Sequence, residues 1–216
     1  MRLRRKPWID EAIHEYRDFV FPKDAPVDAS AKGRWREIFG REASLSVELG
    51  TGKGDFITAL AARHPEQNFL GIEMQQGVLY LAAKKVAEQE LKNVRLAVFD
   101  IHHLEDVFAP GEIQRIYLNF CDPWPKKRHA KRRLTHRNFL MRYQKLLAPR
   151  GEMHFKTDNR PLFDFSIEEF AAMNLKVSEL SFDLHAEERP ENIETEYERK
   201  FNALGEKINR CVVTFP

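Results

Sequence analysis

From Leu45 onward, short apolar segments alternate with amphipathic segments of helical length, and this alternation limits the chain to few architectures. Strands that alternate with helices predict an α/β fold, with a mostly parallel sheet and helices on both faces. Ligands of such sheets bind beyond the carboxyl ends of the strands. The predicted strands are 45–49, 68–73, 94–100, 113–120 and 152–156, with shorter ones at 176–182 and 211–215, and the predicted helices are 54–64, 75–91, 136–147, one after Pro161 and an acidic one before 211.

The first 43 residues follow a different pattern. They show no clear strand alternation, they contain Pro22 and Pro26, and residues 2–6 are strongly basic. We predict a basic N-terminal arm over 1–43, flexible or partly helical near 8–18, and a single domain over 44–216. A length of 216 residues suits one compact domain of this kind.

Composition excludes several classes of protein. No run of about 18 apolar residues is present, so a membrane span is not expected. The two cysteines, Cys121 and Cys211, lack ligand spacing, which predicts no metal site and fits the reducing cytoplasm. The net charge of +2 conceals a basic run at 126–133 and an acidic one at 187–198. No feature implies an obligate protein partner.

A glycine-rich loop follows the first predicted strand. It reads Glu48-Leu-Gly50-Thr-Gly52-Lys-Gly54 and opens a helix, so the backbone can turn tightly and approach a ligand. A dinucleotide fingerprint would need a third glycine at Asp55, where a carboxylate repels pyrophosphate, so a dehydrogenase is disfavoured. A P-loop would need Gly-Lys-Ser/Thr. The pattern indicates a ligand without phosphates, and the acidic Glu48 suits a cationic one.

Two further acidic residues end the next two strands. Glu73 can accept both hydroxyls of a ribose, and Asp100 can accept an adenine amino group. Each also has a local explanation, because Glu73 can favour a helix start and Asp100 can cap a turn. Together with Glu48 and the loop, these residues resemble the class I methyltransferase family, as does Leu146-Leu-Ala-Pro-Arg-Gly151. The resemblance implies a Rossmann-like fold and S-adenosylmethionine as cofactor.

The fourth predicted strand runs into Asp122-Pro-Trp-Pro-Lys-Lys-Arg-His129, a rigid loop followed by more basic residues. Methyltransferases of exocyclic base amines carry Asn/Asp-Pro-Pro-aromatic at this place, and Trp124 departs from that motif. The segment resembles the tRNA (guanine-N7)-methyltransferase family, and the likeness extends over nearly all of the chain from Ser46. Cys121 stands where that family is expected to have serine, and we assign it no catalytic role.

The resemblance implies a role for each matching residue. Asp122 is the expected catalytic residue, and the acids Glu48, Glu73, Asp100 and Asp122, with Gly50, Gly52 and Gly54, are expected to bind the cofactor. The expected contacts of the target nucleoside are Lys126, Asp158, Thr195, Glu196, Tyr197 and Glu198. The expected RNA contacts are Lys127, Arg128, His129, Lys131, Arg132 and Arg133.

Several of these residues have local alternatives. Asp158 could cap the helix that begins near Pro161, and Thr195 with Glu198 has the spacing of a capping box. The basic run could be a solvated surface, although its place after a rigid loop favours phosphate contact. The adjacent His102 and His103 are expected to point apart, as structural or surface residues.

The implied reaction is transfer of a methyl group to N7 of a guanine in the tRNA variable loop, at position 46 by family likeness. N7 has a lone pair and no proton, so no general base is needed, and carboxylates can select guanine through N1–H and the amino group. Two alternatives stay open: methylation of an exocyclic amine in RNA or DNA, and a non-catalytic RNA-binding protein on the same fold.

Overall fold

A computed structural model describes residues 6–187 and 189–216. Residues 2–5, which belong to the predicted basic arm, lie outside the described range. The chain divides into two compact units, residues 1–109 and 110–216, called here the N-terminal and the C-terminal unit. None of the helices described has the length and apolar character that a membrane span requires.

The N-terminal unit contains four parallel strands in the order β1-β4-β3-β2. Its third and fourth helices pack against β3 and β4 and bury Phe56, Ile57 and Leu79. The strands are β1 Val20–Phe21, β2 Leu45–Leu49, β3 Asn68–Glu73 and β4 Val94–Val98, and the helices are α1 Ile9–Ala12, α2 Trp35–Phe39, α3 Asp55–Arg63, α4 Gln76–Glu88 and α5 Leu104–Val107.

The C-terminal unit is mixed, because β5 and β6 are parallel while β8 lies antiparallel between β6 and β7. Helix α7 packs on β6, β7 and β8, and Phe155 contacts Phe163 and Phe170 in its core. The strands are β5 Ile113–Asn119, β6 Leu147–Thr157, β7 Lys176–Ser181 and β8 Asn209–Thr214, and the helices are α6 Arg137–Leu146, α7 Arg160–Ala172 and α8 Glu196–Asn202.

Each element predicted from Leu45 onward is present, and β2 and β3 have the predicted bounds, whereas β6 begins at Leu147 and not at residue 152. Residues before 44 contain more structure than was predicted. Helix α1 continues as a 3-10 helix over Ile13–Tyr16, and β1 pairs with β4 through Val20 and Leu96. Trp35 of α2 is buried, and its Nε1 donates to the Val107 carbonyl at 2.9 Å. The domain boundary between residues 43 and 44 stays a prediction.

Candidate active site

The glycine loop occupies the carboxyl end of β2. The amides of Gly50 and Thr51 both donate to the Ile72 carbonyl, at 2.8 and 2.9 Å, which folds the loop back against β3. Gly50 and Gly52 have φ of 84° and 56°, in the left-handed region that favours glycine. A Cβ at either position would meet no atom within 4 Å. A ligand therefore has room beside this backbone.

Gly54 has a different reason to be glycine. It precedes α3 with φ of 81°, and a Cβ there would lie 2.6 Å from Cβ of Ala82 on α4. That distance is shorter than real Cβ contacts allow, so any side chain would push α3 and α4 apart. Gly54 thus serves the close packing of two helices below the loop.

Glu48 is the most enclosed of the predicted cofactor acids. It lies on β2, is 3% exposed, and accepts a hydrogen bond from Thr51 Oγ1 at 2.6 Å. A buried carboxylate is stable only with partners of opposite charge or with hydrogen-bond donors. A ligand cation bound over this loop would add a further favourable interaction with this carboxylate.

Glu73 ends β3 and connects the glycine loop to the start of α4. Its Oε2 accepts from the Gly52 amide at 3.2 Å, and its Oε1 accepts from the Gln75 amide at 3.0 Å. Glu73 therefore has a local structural role just before α4, without capping that helix. Each carboxylate oxygen retains a second lone pair, so the side chain can also accept the hydroxyls of a ribose.

Asp100, just after β4, caps the 3-10 helix Ile101–His103. It accepts from the backbone amide and the ring of His102, at 2.9 and 2.8 Å. Burial raises the pKa of Asp100, but the hydrogen bonds from His102 outweigh it, and the net pKa is lowered. The exposed ring of His103 contacts Asp106 instead, so the two histidines point apart as predicted.

These groups suit the cofactor that the sequence implies. Glu48, Glu73 and Asp100 belong to β2, β3 and β4 or follow them, and these strands are neighbours in one parallel sheet. The set combines carboxylates with an open glycine backbone. It matches a ligand that carries an ammonium, a sulfonium, hydroxyls and an aromatic amine, and the carboxylates disfavour a pyrophosphate.

In the C-terminal unit, the Asp122-Pro-Trp-Pro loop follows β5. Trp124 has φ of 42°, a strained value for a residue with a side chain, which persists only where neighbours fix it. Arg133 supplies the restraint, because its Nε donates to the Pro123 carbonyl at 3.1 Å and its Nη2 to the Trp124 carbonyl at 3.2 Å. The same guanidinium stacks over Phe165, 4.3 Å from the ring centre. Arg133 therefore clamps the loop.

The two predicted guanine-side carboxylates follow neighbouring strands of this unit. Asp122 lies beyond β5 and is exposed, and Asp158 lies directly after β6 and is half-buried. Neither carboxylate has a hydrogen bond or ion pair within residues 6–187 and 189–216. The alternative that Asp158 caps α7 is wrong, since Asn159 is the cap and accepts from the Leu162 amide at 2.8 Å.

The basic run forms a 3-10 helix over Lys127–Arg132 and divides into two groups. Around Trp124, Arg132 lies over the ring at 4.8 Å and His129 meets it edge-on. Lys126 stands exposed at the start of the turn. Lys127, Arg128 and Lys131 are exposed, and none of them forms an ion pair or a ring contact with a described residue.

The predicted capping box at Thr195 is confirmed. Thr195 Oγ1 accepts from the Glu198 amide at 2.9 Å, and Glu198 Oε2 accepts from the Thr195 amide at 3.4 Å. Glu198 is fully buried, whereas Glu196 and Tyr197 are exposed. Tyr197 stacks on Phe201 and lies 5.6 Å from Phe120, so α8 reaches the segment that leads to Asp122.

Two residues of the C-terminal unit have structural roles that the sequence analysis did not predict. Arg133 was grouped with the RNA contacts, and Lys156, which is 5% exposed on β6, was not singled out. Lys156 Nζ donates to Glu198 Oε2 at 2.7 Å, a partner 42 residues later. Cys121 has no thiolate role at neutral pH, because burial, and then the charge of Asp122, raise the pKa of its thiol to about 12.

Sequence comparisons assign this arrangement to a known group. A family model described as "Putative methyltransferase" matches residues 42–211. The chain is 49% identical over 216 residues to the tRNA (guanine-N(7)-)-methyltransferase of Geobacillus sp. (strain WCH70), covering 100% of this chain and 96% of the relative. It is 46% identical over 213 residues to the protein of the same name from Bacillus subtilis (strain 168), covering 99% and 98%.

Solved structures extend the comparison to the fold. The 16S rRNA methyltransferase KamB superposes with a TM-score of 0.64 at 12% identity, covering 85% of this chain and 92% of that one. A 16S rRNA (adenine(1408)-N(1))-methyltransferase from Catenulisporales acidiphilia, solved with the cosubstrate SAM, gives a TM-score of 0.58 at 16% identity, covering 85% and 90%. The predicted Rossmann-like class I methyltransferase fold is confirmed.

Proposed function

This chain belongs to the tRNA (guanine-N7)-methyltransferase family, and on that premise we propose that it methylates N7 of a guanine in tRNA, using S-adenosylmethionine. The observation that carries the assignment is full-length similarity combined with the acidic strand ends and open glycine loop of the N-terminal unit. By family likeness, the target lies in the variable loop. The reaction takes place in the cytoplasm, which suits the free thiols of Cys121 and Cys211.

Residues of the N-terminal unit would hold the cofactor. Glu48 would balance its positive charge, the open backbone at Gly50 and Gly52 would leave room for it, Glu73 would accept the ribose hydroxyls and Asp100 the adenine amine. When bound, S-adenosylmethionine supplies an electrophilic methyl group. Because Glu73 and Asp100 are already fixed by hydrogen bonds, little reorganisation is required on binding.

The guanine is selected by residues of the C-terminal unit. Asp122 and Asp158 follow the neighbouring parallel strands β5 and β6, and their carboxylates are open for a ligand among the described residues. A carboxylate only accepts hydrogen bonds, so it recognises N1–H and the exocyclic amine, an edge that adenine does not present. The same negative charge stabilises the positive charge that methylation places on the ring.

No residue has to remove a proton, because N7 of guanine carries none. The contribution of Asp122 is therefore alignment and electrostatic stabilisation, not base catalysis. The exposed Lys127, Arg128 and Lys131 contact phosphates of the tRNA. With chemistry as the limiting step, the rate stays level through neutral pH, whereas a base-dependent methylation climbs towards the pKa of its base.

The product provides the test. Unmodified tRNA is incubated with the protein and cofactor, and its nucleosides are analysed by mass spectrometry. We expect 7-methylguanosine, and borohydride followed by aniline should cleave the strand at one site, because the cationic ring is labile. Methyl incorporation into an exocyclic amine, which leaves the strand intact, contradicts N7 specificity. A thermal shift with S-adenosylhomocysteine separates this enzyme from a non-catalytic RNA-binding protein.

A further inference from the structure

Lys156 lies at the point where three segments of the C-terminal unit meet. Its side chain is 6% exposed, and its ammonium donates to Glu198 Oε2 at 2.7 Å, the Ile193 carbonyl at 2.8 Å and Asn192 Oδ1 at 3.0 Å. A lysine ammonium has three donors, and here all three are directed at the segment 192–198.

This segment is held by individual side-chain contacts, several of which involve Glu198. Between the 3-10 helix Leu184–Ala186 and α8, the described residues form no regular secondary structure. Glu198 is the main point of attachment, because its second oxygen accepts from Asn192 Nδ2 at 2.8 Å and lies 3.4 Å from His185 Nε2. The position of Thr195, Glu196 and Tyr197 therefore depends on the buried pair of Glu198 and Lys156.

The main chain of Lys156 reaches the other two segments. Its carbonyl accepts from the Phe120 amide at 2.9 Å, two residues before Asp122. Asp158 follows two residues after it, in a turn where Thr157 Oγ1 accepts from the Asn159 amide at 3.0 Å. Phe120 is also the residue whose ring Tyr197 contacts. The side chain and the carbonyl of Lys156 thus join the segments that carry Asp122 and Asp158 with segment 192–198, and we call these three the substrate-side segments.

We propose that Lys156 is a positioning residue for the guanine, holding the segment with Tyr197 beside the segments that carry Asp122 and Asp158. This inference rests on the proposed function. Removing the ammonium leaves Glu198 buried without its ion-pair partner, an arrangement that proteins tolerate poorly. The segment should then loosen, while Glu48, Glu73 and Asp100, the cofactor acids of the N-terminal unit, are unaffected.

The test compares Lys156→Met with Asn192→Ala, a milder variant that leaves the ion pair intact and keeps the test informative if Lys156→Met folds poorly. The control is Arg137→Met, which breaks the Arg137–Glu169 ion pair of α6 and α7 in the same unit. For each variant, we measure the single-turnover rate at saturating tRNA and the Kd values of S-adenosylhomocysteine and tRNA. We also measure hydrogen exchange of peptides covering 190–203.

For Lys156→Met we expect a single-turnover rate lower by about 100-fold, with faster exchange in 190–203. For Asn192→Ala we expect a loss of about 10-fold. Both should change the Kd of S-adenosylhomocysteine by less than about 2-fold and that of tRNA by less than about 3-fold, because neither the cofactor acids nor the basic run is altered. Arg137→Met should keep the wild-type rate at a temperature where it is folded.

Two results overturn the inference. One is a similar loss of rate in Arg137→Met and Lys156→Met, which makes the effect one of general stability. The other is unchanged exchange of 190–203 in both Lys156→Met and Asn192→Ala. Exchange is measured without tRNA, so the inference is tested even if the wild-type protein fails to methylate tRNA, a result that would contradict only the proposed function.

Discussion

In the N-terminal unit, the acidic side chains at the strand ends are held by nearby donors, whereas Asp122 and Asp158 of the C-terminal unit accept no hydrogen bond from the described residues. Glu73 is fixed by two backbone amides, so it is preorganised before a ligand binds. Asp122 and Asp158 keep all their lone pairs for a ligand, and their backbone is fixed instead.

The two units also differ in the contacts that hold their loops in place. The glycine loop is held by main-chain hydrogen bonds to β3 and by the packing of Gly54. The substrate-side segments are held by charged side chains, Arg133 on the Asp122 loop and Lys156 on segment 192–198. The glycine loop is thus fixed by main-chain geometry, whereas the Asp122 loop and segment 192–198 are fixed by side-chain contacts that single substitutions can remove.

The largest effect is expected from removing Asp122. Replacement by Ala should lower turnover by about 1,000-fold, because the negative charge beside the ring that becomes cationic is lost. Turnover is measured as methyl incorporation into unmodified tRNA. The matched control is Asp164→Ala, an exposed carboxylate of α7 whose ion pair to Arg160 lies outside the proposed machinery. Wild-type turnover in Asp122→Ala would remove this residue from the mechanism.

Replacing Glu73 by Gln tests the proposed cofactor site of the N-terminal unit. The amide keeps an acceptor for only one of the two backbone amides of Gly52 and Gln75, and it loses the charge that strengthens bonds to the ribose hydroxyls. Affinity for S-adenosylhomocysteine, measured by calorimetry, should fall about 10- to 100-fold. Binding of tRNA should be unchanged. Glu88→Gln, at the exposed end of α4, is the control, and equal affinities in the two variants would contradict a cofactor role for Glu73.

Sequence periodicity predicted the elements whose signal is local. Strands β2 and β3 are continuous apolar segments bounded by turns, and their bounds were predicted from that pattern. Strand β1 has only two residues and pairs with β4 more than 70 positions later, so no alternation could reveal it. The Thr195 capping box was predictable because both partners lie within one turn of helix.

The sequence predicted which types of residue form the candidate site, but not which contacts hold its loops in place. Spacing and strand ends select Glu48, Glu73 and Asp100 as candidates, although whether they bind the cofactor stays a prediction. The roles of Arg133 and Lys156 depend on partners ten and 42 residues away. In the sequence, nothing distinguishes Arg133 from the other cations of the basic run. Only the three-dimensional structure separates the arginine that clamps a loop from the lysines beside it.

That separation predicts two different responses to salt. Replacing Lys127, Arg128 and Lys131 together by Gln should reduce the slope of log affinity for tRNA against log salt by about two to three, since each phosphate contact contributes roughly 0.7 to 0.9. Arg133→Gln should change the slope by less than about 0.5 and act on turnover, through the loosened loop. A triple variant with the wild-type slope would show that these cations are only a solvated surface.

The smallest effect concerns Glu152, in an ion cluster of β5 and β6 away from the proposed site. The hydrogen bond from His154, and then the charge of Arg115, lower the pKa of Glu152 from 4.5 to about 2. A carboxyl whose folded pKa is depressed stabilises the fold above its unfolded pKa, and this contribution is lost as the pH falls from 4.5 towards 2. The side chain is 32% exposed, so solvent screening reduces the contribution to about 1 kcal/mol.

Replacing Glu152 by Gln tests this contribution. The free energy of unfolding in urea should fall by about 1 kcal/mol at neutral pH and by much less near pH 3, with the exposed Glu168→Gln as control. A pH-independent difference would mean that the loss comes from packing, and that charged side chains stabilise this unit less than its contacts indicate.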